Sequence, residues 1–450
     1  MSNDVAVAGV GMHPWGKWGR NFVEYGVHAA RAALADSGID WTDVDLVVGG
    51  ETVRNGYGGY VAGATFAQAL GWNGARVATS YAACATGAQA LDTARARILA
   101  GLSDVALVVG ADTTPKGFLA PNAGERWDDP DWLRFRLLGM TNPAYFALYA
   151  RRRMDLYGAT PDDFAAVKVK NARHGLHNPN ARYRKEVTAD EVLASAVVAD
   201  PLHLLDICAT SDGGAAVVLT SVDYARRHGL TNPNARYHKE FTVEDVMASE
   251  IVADPLHLLD ICATSDGAAA VVLTSVEHAR RLGVADPVRV SAVSTVTPTF
   301  PNTVLDMPNL STDAAGTDGQ PERTFKESIA HAAYEEAGID PSDVDLAEVY
   351  DLSTALELDW MEDLALCKPG EAESLLRAGE TTVGGRIPVN TSGGLACFGE
   401  AVPAQALAQV CEVTWQLRGQ AAGRQVEGAR VGITANQGLF GHGSSVLLTR

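Results

Sequence analysis

The sequence predicts an α/β protein made of two similar halves, and two repetitions in the chain carry that reading. The stretch "ALADSGIDWTDVDLV" (33–47) returns as "AYEEAGIDPSDVDLA" (333–347), an offset of 300 residues. Each copy stands in the same setting of strand, helix and strand, the pattern of a βαβ half. A second repetition is local: residues 178–231 and 232–285 match at about 40 of 54 positions. Each of those copies ends in "AAVVLTS" (215–221 and 269–275), a continuous apolar run of the buried-strand type.

The elements follow in order. "DVAVAGVG" (4–11) reads as the first strand. Val23, Val27, Ala30 and Leu34 then fall on one face of a helix, and Gly38 stands where a helix end favours a left-handed residue. "DLVVGGE" (45–51) is the next strand. In "SYAACATGAQALDTARARILAG" (80–101) a short strand runs into a helix that starts at Cys84 and ends near residue 100. The second half opens with "VRVSAVST" (288–295). Thr324 and Glu327 have capping-box spacing ahead of Phe325, Ile329 and Ala333, and Gly338 repeats the role of Gly38. "DLAEVYD" (345–351) is its strand, and "ITANQGLFGHGSSVLLTR" (433–450) is strand, glycine-rich turn, strand. The tandem copies are too few for a solenoid. One of the two is expected to be a surface excursion, because a sheet position takes one strand.

Composition narrows the function. The 450 residues are 47% hydrophobic and 20% charged, which suits a packed globular protein. A net charge of −19 argues against nucleic acid as a partner, since the phosphate backbone would be repelled. The six cysteines (84, 208, 262, 367, 397 and 411) form no Cys-x-x-Cys pair, so no structural zinc is expected. The N-terminal stretch is not a secretory signal, and no apolar run approaches the ~20 residues of a membrane span. A reduced, cytoplasmic protein is expected.

Four segments can carry chemistry. A cysteine at a helix N-terminus feels the positive end of the dipole, which favours its thiolate, although a buried cysteine packing as a small hydrophobe is the plain alternative for Cys84. Tyr350 ends a strand, where open α/β sheets bind ligands, and a phenol there can serve as acid or base. The third is the loop "NTSGGLACFGEAVPAQA" (390–406), which carries no histidine. The fourth holds His442, flanked by Gly441 and Gly443 in a turn.

Taken as a set and in their order, "SYAACATGAQAL", "TSDGAAAVVLTS", "EVYDLS", "PVNTSGGL" and "NQGLFGHGSS" resemble the thiolase superfamily over essentially the whole chain. They look like its lipid-transfer-protein branch, related to sterol carrier protein-type thiolases. The resemblance implies a five-layered αβαβα fold of two pseudo-symmetric halves, here 1–286 and 287–450, with an inserted loop domain at about 115–250. It implies dimers and acyl-coenzyme A thioester substrates, with no cofactor bound by this chain. Two departures bear on activity. Where a thiolase loop has Gly-His-Pro, this chain has Gly399-Glu400-Ala401; where sterol carrier protein-type thiolases have His-Asp-Cys-Phe, it has Tyr350-Asp351-Leu352-Ser353. A cysteine without its base partner loses much of its activation.

The Tyr-Asp pair resembles the steroid side-chain aldolases of this branch, which cleave a β-hydroxyacyl-coenzyme A by a retro-aldol reaction. Such enzymes work with a separate zinc-ribbon/OB-fold protein as a heterotetramer. The expected catalytic group is Tyr350 as a phenolate base, with His442, Cys84 and Asp351. Asn390, Ser392, Gly393, Gly394, Glu400, Gly441 and Gly443 are expected around the substrate, with the 390–406 loop shaping the pocket without base chemistry. A thiolase or acyltransferase using Cys84, and a non-catalytic acyl-coenzyme A or lipid-binding subunit, are the alternatives.

Overall fold

The computed structural model describes residues 5–50, 56–113, 142–208, 213–220, 251–253, 256–257, 267–275, 288–296, 325–438 and 443–450. The offset-300 motif has a local physical cause in both copies. Helix α1 (Phe22–Ser37) ends at Gly38 with φ 65°, and the equivalent helix Phe325–Ala337 ends at Gly338, also at 65°. Asp40 then accepts the Thr42 N–H at 2.9 Å, as Asp340 accepts that of Ser342 at 2.9 Å, each starting one 3₁₀ turn. Two residues past each turn, Asp45 Oδ2 takes the Asp104 N–H, and Asp345 Oδ2 takes those of Arg430 and Val431. Each carboxylate thus ties the entering strand to its neighbour. The buried stripe of α1 is Phe22, Tyr25, Ala29, Ala30, Ala33 and Leu34. Val23 and Val27, expected on the core face, are only partly buried, because that stripe is rotated toward Tyr25.

The described strands are β1 (Val5–His13), β2 (Leu46–Gly50), β3 (Arg76–Ser80), β4 (Val105–Asp112), β5 (Val197–Ala199), β6 (Leu202–His203), β7 (Gly213–Thr220), β8 (Ile251–Ala253), β9 (Leu256–His257), β10 (Gly267–Ser275), β11 (Arg289–Ser294), β12 (Leu346–Val349), β13 (Val431–Gln437) and β14 (Gly443–Thr449). Strands β5 and β6 form one hairpin, and β8 and β9 another. The rest make a ten-stranded sheet in the order β12-β13-β14-β11-β1-β10-β7-β4-β2-β3. It divides at β1 and β11, which share one residue pair, Ala6 with Arg289.

The halves repeat each other's pairing. Strand β2 is parallel to β3 and β4, just as β12 is parallel to β13 and, through Ala347 and Val389, to an isolated bridge. Helix α1 covers the first half-sheet, and the helix Phe325–Ala337 covers the second. The helices Thr86–Leu99 and Gln405–Arg418 pack on each other and on strands of both halves. Two outer helix layers, two half-sheets and a central helix layer give the αβαβα arrangement. The boundary expected at 286/287 lies outside the described residues, as do 115–141, 209–212 and 221–250 of the expected loop domain.

The strand of each tandem copy pairs with β1 and with β4, so the two copies address the same sheet position. Gly11 pairs with Ala216 of β7 and with Ala270 of β10; Met12 pairs with Ala215 and with Ala269. The registers differ by 54 residues, the length of the repeat, so identical strand runs address one place beside β1. Either copy alone satisfies that edge. Deleting 232–285 is therefore expected to leave a soluble, folded protein with an unchanged circular-dichroism spectrum and elution volume. An insoluble product would mean that the second copy is needed for the fold.

Candidate active site

Three chain segments from both halves converge. The first leaves β3 at Ser80 and turns through Ala83, whose φ of 46° is left-handed, to put Cys84 just before the helix Thr86–Leu99. Thr86 Oγ1 holds that turn, accepting the Ala82 N–H at 2.8 Å. The second is the end of β12, where Tyr350 follows Val349. The third is the 390–406 loop, which follows the Val389 bridge. In the pseudo-symmetry this loop is the counterpart of the Cys84 turn, since Val389 stands beside β12 as β3 stands beside β2.

Cys84, Tyr350 and Glu400 meet at the centre, each almost wholly buried. The Cys84 thiol donates to Glu400 Oε1 at 2.8 Å, the Tyr350 hydroxyl donates to the same oxygen at 3.1 Å, and Cys84 Sγ lies 3.5 Å from the Tyr350 oxygen. Burial, reinforced by the Glu400 charge and its hydrogen bond, pushes the Cys84 thiol well above its ordinary value. Burial, followed by Cys84 and Glu400, does the same to the Tyr350 phenol. Both groups therefore rest protonated, with their hydrogens aimed at one carboxylate oxygen. This corrects two expectations. Tyr350 is not held as a phenolate, and Glu400 does more than shape a pocket: one oxygen of its carboxyl group accepts from both other members.

The other expected site residues do structural work around this centre. Asp351 accepts the Leu395 and Ala396 N–H groups at 2.7 and 3.3 Å and the Asn171 amide at 2.9 Å, so its oxygens are engaged within the protein. Burial and nearby Glu357 push it up to about 7. Asn390 takes a left-handed φ of 53°, accepts the Val349 N–H and donates to Glu357. Ser392 donates to Glu348 Oε2 at 2.6 Å and accepts the Gly394 N–H. A Cβ on Gly394 would sit 2.3 Å from Asp351, and one on Gly393, at φ 99°, 2.7 Å from the Gly175 Cα. These two glycines let the loop pack tightly. Gly443 opens β14 opposite Gln437. Gly441 and His442 lie outside the described residues.

The sequence reading missed the scaffold behind the loop. On the helix Pro161–Leu176, Lys168 Nζ donates to Ala396 O at 2.6 Å, and Lys170 Nζ donates to Val389 O at 2.7 Å while pairing with Glu357 at 2.9 Å. His174 Nδ1 lies 2.9 Å from Asn390 O, and burial, with Lys170 nearby, lowers it to about 3, so it stays neutral. Lys168, Asn171 and Gly175 fall on one helix face that a core helix would fill with apolar residues, and that interruption was the available signal. Gln405 and Phe146 also flank the centre: Gln405 Nε2 reaches Cys84 O at 3.5 Å, and the Phe146 ring meets Tyr350 edge-on at 6.3 Å.

Residues 5–223 match the model of the thiolase N-terminal domain, and 317–450 that of the thiolase C-terminal domain-like family. The chain is 31% identical to sterol carrier protein 2 of Gallus gallus over 98% of this chain and 71% of that protein. It is 30% identical to an acetyl-CoA acetyltransferase of Methanothermobacter thermautotrophicus over 98% of each. Among solved structures, an Ltp2-ChsH2(DUF35) aldolase superposes with a TM-score of 0.71 at 24% identity, covering 99% of this chain and 98% of that one. An acetyl-CoA acetyltransferase of Bacillus anthracis gives 0.64 at 16% identity, covering 99% and 98%.

Proposed function

This chain belongs to the thiolase family, and on that premise we propose that it is a carbon–carbon lyase that cleaves a β-hydroxyacyl-coenzyme A thioester by retro-aldol reaction, with a steroid side chain as the acyl group. One observation carries the reading: a carboxylate oxygen 2.8 Å from the Cys84 sulfur. Condensation or thiolysis through a covalent acyl-enzyme needs a thiolate. The Glu400 charge opposes a thiolate and leaves a strong acceptor for a proton delivered through Tyr350. Retro-aldol cleavage needs that acceptor and no nucleophile.

The step balances as follows. The Tyr350 oxygen takes the proton of the substrate's β-hydroxyl as its own proton passes to Glu400 Oε1. The Cα–Cβ bond breaks, its electron pair goes to the thioester enolate, and the β-carbon leaves as a ketone. The proton held by the Tyr350–Glu400 pair returns to the enolate α-carbon and gives the shorter acyl-coenzyme A. The enolate needs hydrogen-bond donors, and the stretch of sequence with Gly441, His442 and Gly443 is the segment we assign to that role. No cofactor is required beyond the coenzyme A of the substrate.

We propose a homodimer that joins a separate zinc-ribbon/OB-fold protein in a heterotetramer; the Ltp2-ChsH2(DUF35) aldolase likewise names two components. Strand β3 ends the sheet and exposes Val77, with Trp72 and Tyr81 exposed on either side in sequence, an edge that a second copy would cover. No helix among the described residues is long and apolar enough to cross a membrane, in keeping with the cytoplasmic setting we assign.

The test is Cys84→Ala, assayed with a β-hydroxyacyl-coenzyme A in the presence of the partner. It is expected to retain most of the cleavage rate, and intact mass spectrometry of the wild type is expected to find no acyl adduct. An acyl group trapped on Cys84, or thiolysis abolished by the substitution, would turn the assignment to a thiolase. Binding without turnover by the complete complex would leave a non-catalytic subunit.

A further inference from the structure

Outside the site, one cluster of basic side chains surrounds an open cavity. It lies between the end of β1 and α1, has a volume of about 530 Å³, and is lined by His13, Arg20, Glu24, Tyr25, His28 and Arg31 with two small apolar neighbours. Two arginines and two histidines face one space on a chain of net charge −19. The overall field repels anions, so a pocket of the opposite sign is a local departure from it. None of these residues belongs to the Cys84–Tyr350–Glu400 centre.

We propose that this cavity binds the phosphate group of a small phosphorylated molecule. Arginine presents a planar fork of donors that matches phosphate oxygens in pairs. Arg31 makes no ion pair among the described residues, and Arg20 is engaged with Glu24 at 3.2 Å in an exposed contact of the kind that contributes little. The imidazoles of His13 and His28 are 4.8 Å apart, and Tyr25 stands 5.0 Å from His13. The Tyr25 hydroxyl is fixed by the Arg20 backbone, accepting its N–H at 2.7 Å and donating to its carbonyl at 3.0 Å, which anchors the arginine-bearing segment to α1. His13 Nδ1 lies 2.7 Å from Pro14 O and donates to it, which leaves Nε2 to take a second proton.

Electrostatics agree with this ligand class. Burial, then His28 and Arg20, lowers His13 to about 4 against the Pro14 hydrogen bond, and burial, then Arg31, lowers His28. Both rings are therefore neutral at pH 7, and the cost falls on adding positive charge. A dianion there would reverse that cost, so binding is expected to take up protons. The charged and titratable groups facing the rings are Arg20, Glu24, Tyr25 and Arg31; Glu24 alone among them opposes an anion. The same arginines argue against the rival occupant, a transition metal held by the two histidines, since two nearby guanidinium groups repel a cation.

The full-length protein is titrated at constant ionic strength with inorganic phosphate and, separately, with coenzyme A, following the His13 and His28 imidazole resonances by NMR. Saturable shifts of both rings with phosphate, and an upward move of their titration midpoints, are expected. Arg31→Gln, an exposed substitution that should not disturb folding, is expected to weaken phosphate binding about tenfold or more, the worth of a charge-assisted hydrogen bond. The phosphate titration does not use the cleavage assay, so this test is independent of the proposed reaction. Competition by coenzyme A would identify its phosphate as the source, and phosphate binding without such competition would point to another phosphorylated metabolite. The proposal is overturned by non-saturable shifts at about 20 mM phosphate, well above the millimolar range of a weak specific site. Shifts that persist in Arg31→Gln, or saturation by Zn²⁺ in place of phosphate, would also overturn it.

Discussion

Tyr350→Phe is expected to cut turnover of the β-hydroxyacyl thioester by roughly 10²–10⁴-fold, the span associated with a positioned acid or base. The ring stays in place against Phe146, so packing is largely preserved. What is lost is the oxygen that bridges substrate and Glu400. Removing one hydroxyl from a buried hydrogen bond should change stability by about 1–2 kcal/mol at most, small enough to separate from the kinetic loss by thermal melting. Glu400→Gln keeps the shape of the acceptor and removes its basicity, and it is expected to cost a similar factor. Because the two groups form one proton path, at 3.1 Å, their losses should not add. The double variant is expected to fall no more than a few-fold below either single one. Near wild-type cleavage by Tyr350→Phe, or multiplicative losses in the double variant, would remove the relay and require another base.

The sequence showed the fold more fully than the site, for a reason visible in particular residues. Gly38, Asp40 and Asp45 act within a few residues of themselves or on the adjoining strand, and so do Gly338, Asp340 and Asp345. Local geometry of this kind leaves a repeated signature, and the two halves could be read from it. Cys84 before its helix and Tyr350 at a strand end were legible for the same reason. The protonation state of the centre was not. It depends on Glu400, which is 316 residues from Cys84 in sequence and 2.8 Å away in space. A glutamate after a glycine in a loop carries no local mark of burial, so its effect on the thiol and the phenol could not be anticipated. Asp351 gave the opposite error: beside Tyr350 it looked catalytic, yet its oxygens are committed to the Leu395, Ala396 and Asn171 N–H groups. The tandem copies were legible as sequence, but both strands pair with β1 and β4, and runs this alike carry no mark of which one fills the position.

Arg153→Met is expected to destabilise the protein by about 3–5 kcal/mol, the cost of removing one partner from a buried ionic cluster. Arg153 is fully buried on the helix Asn142–Tyr157. It donates to both oxygens of Glu373 at 2.7 and 2.9 Å, to Asp359 at 2.8 Å and to Glu362 at 2.6 Å. One guanidinium therefore ties this helix to Thr354–Asp363, which follows Tyr350, and to Ala372–Arg377. Lys326, the other buried cation nearby, is already paired with Asp363 at 2.9 Å. Methionine fills the volume of the arginine stem but leaves three carboxylates close together without their cation. They can relieve this only by taking up protons, which costs less as pH falls. The deficit of Arg153→Met relative to wild type should accordingly shrink as pH falls from about 7 toward about 5. Replacing Glu373 by Met in the same chain removes one of the stranded charges and should recover part of the loss. The same helix carries Phe146, which packs on Tyr350, and Tyr149, whose hydroxyl accepts from Gln437 at the end of β13. Loosening it should also lower cleavage under conditions where the variant is still folded. Chemical denaturation at both pH values, with activity measured on the folded fraction, checks each part. A loss below about 1 kcal/mol that does not change with pH would mean that the cluster is solvated and that Arg153 does not brace the wall beside Tyr350.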